Sequence, residues 1–94
     1  MQIIFSKEFR RQFERIKDAN MQKLIAGAIE KLEVNPECGK PLMYNSRNYR
    51  RLRISSFRLI YRIESEAVVI LMFDKRKTIY KKLAKYINYN VFYI

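Results

Sequence analysis

"YRRLRISSFRLIYR", residues 49–62, decides the fold of this chain. Leu52 and Ile54, then Phe57, Leu59 and Tyr61, fall on alternate positions. A period of two is the signature of a strand, because successive side chains point to opposite faces. Ser55-Ser56 lie where the alternation changes phase, so the stretch reads as a hairpin. With Leu52, Ile54, Leu59 and Tyr61 facing the core, Arg51, Arg53, Arg58 and Arg62 project from the other face. Five arginines occur in these fourteen residues and no acid answers them. Like charges on neighbouring strands repel and lower stability. Guanidinium forks bind two phosphate oxygens at once and resist deprotonation, so such a face suits a phosphodiester. Tyr49 and Tyr80 supply aromatic planes on which a base could stack.

Working outward, "ESE" (64–66) makes a second turn and "AVVILMF" (67–73) is apolar on both faces, as a central strand is. "DKRKTIYKKLAKYI" (74–87) has Ile79, Leu83 and Ile87 at helical spacing, with lysines outward and Arg76 at the rim of the arginine face. "NYNVFYI" (88–94) has no assignable element. Upstream, "MQIIF" is a short strand. Ser6 caps a helix carrying Phe9, Phe13 and Ile16, and Asp18 or Asn20 caps a second. Met21, Leu24, Ile25, Ala28, Ile29 and Leu32 form its apolar stripe. Pro36, Gly39 and Pro41 mark the loop that ends it. The predicted order is β-α-α-β-β-β-α. It describes one α+β domain over 1–94, with a small antiparallel sheet and two N-terminal helices packed on one face.

At 94 residues the chain buries roughly 60–65% of the surface its unfolded state exposes, enough for one modest core. A single cysteine, Cys38, excludes an internal disulfide, and with no histidine a Cys/His metal site is excluded too. The missing histidine also removes the usual general base. No apolar run reaches the ~18–20 residues of a membrane span and no secretory h-region is visible, so a cytoplasmic location is expected. Charge is uneven. Residues 1–37 hold seven Lys/Arg against six Asp/Glu, whereas residues 38–94 hold thirteen against three. Such a localised excess is the footprint of a polyanionic partner, either nucleic acid or an acidic protein.

The element order, the 49–63 meander and the later "DKRKTIYKKL" (74–83) resemble the RelE/ParE superfamily of toxin–antitoxin toxins. The resemblance covers the whole chain by architecture and residues 44–83 by motif. It implies a RelE-like fold and, by analogy with RelE-type mRNA interferases, a ribosome-dependent endoribonuclease. That reaction cuts mRNA in the A site by attack of a ribose 2′-OH on the adjacent phosphate, with no cofactor. Carried onto this chain, Arg51 and Arg53 take the paired basic strand positions, which activate the 2′-OH and steer phosphate. Arg58 stabilises the transition state, Arg76 binds phosphate or assists the leaving oxygen, and Tyr80 orients a base. In the best-known RelE the paired positions are lysines. Both are arginine here, and arginine is a poor proton acceptor, so Lys75 becomes a candidate general base, since histidine often precedes that arginine in relatives, with Tyr80 a weaker one. Arg47, Arg50, Arg62, Tyr49 and Lys77 complete the expected RNA-binding surface. The implied partners are mRNA, the ribosome and an acidic, RelB-like antitoxin. Two other functions stay open: a ParE-like inhibitor of DNA gyrase acting by protein–protein contact, and a non-catalytic RNA-binding module.

Overall fold

A computed structural model describes residues 1–42 and 49–92, with side chains described up to Tyr86. The elements run β1 (Gln2–Phe5), α1 (Lys7–Glu14), α2 (Ala19–Val34), β2 (Lys40–Pro41), β3 (Tyr49–Ile54), β4 (Phe57–Glu64), β5 (Ala67–Lys75) and α3 (Arg76–Phe92). The order follows the expected one with a two-residue strand added. The sheet order is β1-β5-β4-β3-β2. The β3-β4-β5 meander is antiparallel, and β1 joins it in parallel along β5, so the sheet is mixed. Local apolarity identifies β1 as a strand but carries no information about its direction relative to β5.

The first helix starts as its sequence dictates. The Ser6 side chain accepts from the Phe9 N–H at 3.0 Å, satisfying one of the free amides of the first turn. Its hydroxyl also donates to the Leu71 carbonyl, and its backbone N–H donates to Ile70 O at 2.9 Å. Beyond Ile70, β5 has no β1 residue beside it. There the Gln12 side-chain oxygen accepts from the Phe73 N–H at 2.7 Å. Thus α1 satisfies, with two side chains, an edge that a longer β1 would otherwise pair. Asp18 caps α2, accepting from Asn20 N–H at 2.8 Å.

The sheet separates two cores. On the α1/α2 side, Phe9, Ile25, Ala28 and Leu32 meet Ile54, Leu59, Tyr61, Val68, Ile70 and Phe73. Leu24, placed in the α2 stripe by spacing, is instead about half exposed, because the buried face narrows to Ile25, Ala28 and Leu32. On the other side, Ile79 and Leu83 of α3 pack on Ile60, Val69, Leu71 and Met72.

A β-bulge sets this second face. Tyr61 pairs with Ile70 but Ile60 pairs with Met72, leaving Leu71 as the extra residue. Leu71 and Met72 both join the α3 core, so every later residue of β5 changes face. The strand also continues two residues past Phe73 before α3 begins. That helix runs on through "NYNVF", the stretch without assignable structure, ending at Phe92. The Ile87 side chain, expected inward, lies outside the described residues. Among the described residues, no helix is long and apolar enough to cross a membrane.

Candidate functional site

The β3–β4 register places Arg53 directly opposite Arg58, and Arg51 opposite Ile60. Directly opposed residues share a face, and Ile60 belongs to the α3 core. Arg51, Arg53 and Arg58 therefore sit on the α3 side of the sheet, and Arg76, the first residue of α3, joins them. The four line one cavity of ≈ 400 Å³ together with Cys38, Gly39, Lys40 and Leu52. That volume lies within the ~300–1,000 Å³ typical of ligand pockets.

The electrostatics of the cavity are one-sided. Arg58 is 8% exposed and donates from Nη1 to the Phe57 carbonyl at 3.0 Å. Among the described residues, no carboxylate comes within ion-pair distance of Arg51, Arg53, Arg58 or Arg76. The acid closest in register is Asp74, paired with Arg58 across β4 and β5 and turned to this face by the bulge. Its carboxylate is committed elsewhere, to Lys82 at 2.6 Å and the Lys75 N–H at 2.7 Å. Burial would raise the Asp74 carboxyl, but the Lys82 ammonium, the Lys75 N–H and the Thr78 hydroxyl together hold it below the usual carboxylate range. A buried cation without a counter-ion is costly, and α3 adds its own positive N-terminal end with no acid in its first turn. The arrangement is one in which an anionic ligand supplies the missing charge.

The family model for the ParE toxin of type II toxin–antitoxin systems matches residues 3–80. The chain belongs to the ParE toxin family. A fold of the same kind occurs in a YoeB/ParE toxin from Agrobacterium tumefaciens, with TM-score 0.72 and 20% identity over 81% of this chain and 99% of that one. The RelBE2 toxin–antitoxin complex from Mycobacterium tuberculosis aligns with TM-score 0.61 and 29% identity over 80% of this chain and 96% of that one. A chromosomal ParDE system from Pseudomonas aeruginosa gives TM-score 0.65 and 15% identity, covering 80% and 95%. No curated protein sequence matches the chain. It is thus a RelE/ParE-superfamily toxin of a type II toxin–antitoxin system.

Of the toxin's expected site residues, the cavity gathers Arg51, Arg53, Arg58 and Arg76. Tyr80 stands behind them, accepting from Arg51 Nη1 at 2.9 Å while its ring packs on the α3 core. Other residues lie elsewhere. Lys75 pairs with Phe57, whose ring packs in the α1/α2 core, so Lys75 leaves the sheet on the face away from the arginines. This corrects its reading as the base: β5 extends through Lys75, and the bulge sets its parity. Arg50 shares the α1/α2 side with Tyr61 and donates to Gly39 O at 2.8 Å and Glu37 O at 3.2 Å. It clamps the loop after α2 and does not reach the cavity. Arg62 is on the arginine face but at its far end, bound to Glu64 at 2.7 Å and the Tyr49 hydroxyl at 3.3 Å, over whose ring it also lies. Tyr49 is held with it, and Lys77 is exposed on the first turn of α3. Arg47 lies outside the described residues.

Lys40 was missed from sequence because it sits in what reads as a loop, "ECGKP". A signal existed: the residue before a proline is driven to extended backbone, and Lys40 precedes Pro41. The strand it forms is short, yet its footing is firm. The buried Tyr61 hydroxyl donates to Pro36 O at 2.7 Å and accepts from the Gly39 N–H at 2.9 Å. Burial pushes the Tyr61 phenol up from its ordinary value, with the Gly39 N–H opposing. Only glycine fits at position 39, since an added Cβ would lie 2.6 Å from both Arg51 O and the Tyr61 hydroxyl.

Proposed function

We propose that this toxin is an endoribonuclease that cuts mRNA in the ribosomal A site, and that an acidic RelB-like antitoxin holds it inactive. One observation carries the reading. Arg58 is buried at the back of a cavity with Arg51, Arg53 and Arg76, and among the described residues no acid neutralises them. Attack of a 2′-OH on the neighbouring phosphate passes through a pentacoordinate phosphorane carrying extra negative charge on its equatorial oxygens. Donors fixed before the reaction stabilise that charge without reorganising, each worth about 10²–10³ in rate. Arg58 is held by its bond to Phe57 O and by the packing of β4, so it is such a donor. Arg51 is oriented by Tyr80. Arg53 and Arg76 stand at the exposed rim, where they receive the backbone.

The test is the double variant Arg58→Ala with Arg76→Ala. Growth inhibition and ribosome-dependent, codon-phased cleavage should be lost while the circular dichroism spectrum and antitoxin binding persist; undiminished toxicity would sink the site. The antitoxin follows from charge: thirteen Lys/Arg against three Asp/Glu in residues 38–94 favour an acidic segment that folds on binding. The Mycobacterium tuberculosis neighbour is itself a toxin–antitoxin complex. Toxin and antitoxin should co-elute at low salt.

A second reading has its own support, since the matching family model is that of ParE. A ParE-like chain blocks DNA gyrase by protein contact and cuts nothing. Intact mRNA alongside blocked supercoiling, unaffected by Arg58→Ala, would select it.

A further inference from the structure

We propose that Lys40 is the proton donor to the leaving 5′ oxygen, an inference that rests on the ribonuclease reading above. In that reaction the O2′–P bond forms and the P–O5′ bond breaks. The 2′-OH proton passes to solvent hydroxide, and the departing 5′ alkoxide needs a proton of its own. The arginines cannot give one, because guanidinium does not release its proton in proteins. Of the described basic groups lining the cavity, Lys40 is the one with a proton it can release. The β2–β3 register pairs Lys40 with Arg51, which puts its side chain on the arginine face.

Two other proton-bearing groups stand close and are engaged otherwise. Cys38 lines the cavity but packs against the α1/α2 core. Tyr80 packs on the α3 core behind Arg51 and is not among the residues lining the cavity. The charged and titratable groups facing Lys40 are therefore Arg51 and Arg53 from β3, Arg58 from β4, Arg76 from α3 and the Cys38 thiol from the loop after α2. A long, exposed lysine on a two-residue strand is ordinarily too loosely placed for proton transfer. Here its backbone is braced on the opposite side of the sheet by Tyr61 and Arg50, which hold Pro36, Glu37 and Gly39 through four hydrogen bonds. The α1/α2 core thereby positions a group on the α3 side.

The experiment compares single-turnover cleavage of ribosome-bound mRNA carrying either the natural 5′-oxygen linkage or a bridging 5′-sulfur at the scissile phosphate. A thiolate leaves without protonation, so it removes the need for a general acid. Lys40→Arg keeps the charge and should slow the oxygen substrate about 10²-fold or more, the usual scale of a general acid. It should cut the sulfur substrate at close to the wild-type rate. Arg58→Ala, acting on phosphorane charge, should be slow on both substrates. Lys40→Arg at the wild-type rate on oxygen, or equally slow on oxygen and sulfur, overturns the assignment. Failure of the wild type to cleave either linkage overturns the ribonuclease reading itself, and this inference with it.

Discussion

On the α1/α2 side of the sheet, polar groups that enter the core arrive with partners. Tyr61 is fully buried and both donates and accepts, and Arg50 spends its guanidinium on two carbonyls of the same loop. On the α3 side, Arg58 is nearly as buried, faces Arg53 directly, and among the described residues bonds only the carbonyl next door. The same few strands thus carry one face arranged for stability and one where stability is given up. The difference teaches where to look for function: a chain that can satisfy buried polar groups so completely on one side has the means to do so on the other.

The contrast can be broken most directly by comparing Leu59→Ala with Arg58→Met. These neighbours on β4 point to opposite faces. Truncating Leu59 in the α1/α2 core should cost about 2–5 kcal/mol of unfolding free energy in a urea titration. Arg58→Met should leave stability unchanged or raised, because it removes a buried like-charge contact, while cleavage falls about 10²–10³-fold. Equal destabilisation by the two would mean that Arg58 is structural after all. A smaller effect sharpens the role of α1: Ser6→Ala removes a helix cap and the bond to Leu71, and should lower stability by about 0.5–2 kcal/mol without altering cleavage. The smallest concerns Asp74. Folding eases its ionisation, so it adds stability at pH above its ordinary 3.8, lost as pH falls through its lower folded value. Thermal melts from pH 7 to pH 2 should show wild type losing more stability across that window than Asp74→Asn.

Much of this was legible in the sequence, for physical reasons. Alternation is a local property, so the facing of Leu52, Ile54, Leu59 and Tyr61, and of the arginines opposite them, could be read before any contact was known. Ser6 and Asp18 declare their caps by residue type. The rest depends on distant pairings. The bulge at Leu71 arises from how β5 meets β4 and β1, and an unbroken apolar run conceals it. The face that Lys75 takes therefore cannot be read from residue order, and nothing in the local pattern shows that Asp74 turns toward Lys82. Lys40 was hidden by brevity, since two residues cannot display a period, and only the restriction imposed by Pro41 hinted at a strand. Arg50 looks like its neighbours in composition, and parity alone distinguishes it.

The contact between α1 and the upper half of β5 has a consequence for how this molecule survives in solution. "VVILMF", residues 68–73, is uncharged, free of proline and rich in β-branched and large apolar side chains, the composition from which cross-β assemblies grow. The edge of its lower half is paired by β1, and among the described residues that of its upper half is capped by Ser6 and Gln12. Peeling α1 away leaves the rest of the sheet paired but bares a sticky ribbon that a second molecule can extend. The first helix is in this sense a stopper against polymerisation, and losses of soluble protein on mutating it should be read as self-association before they are read as unfolding.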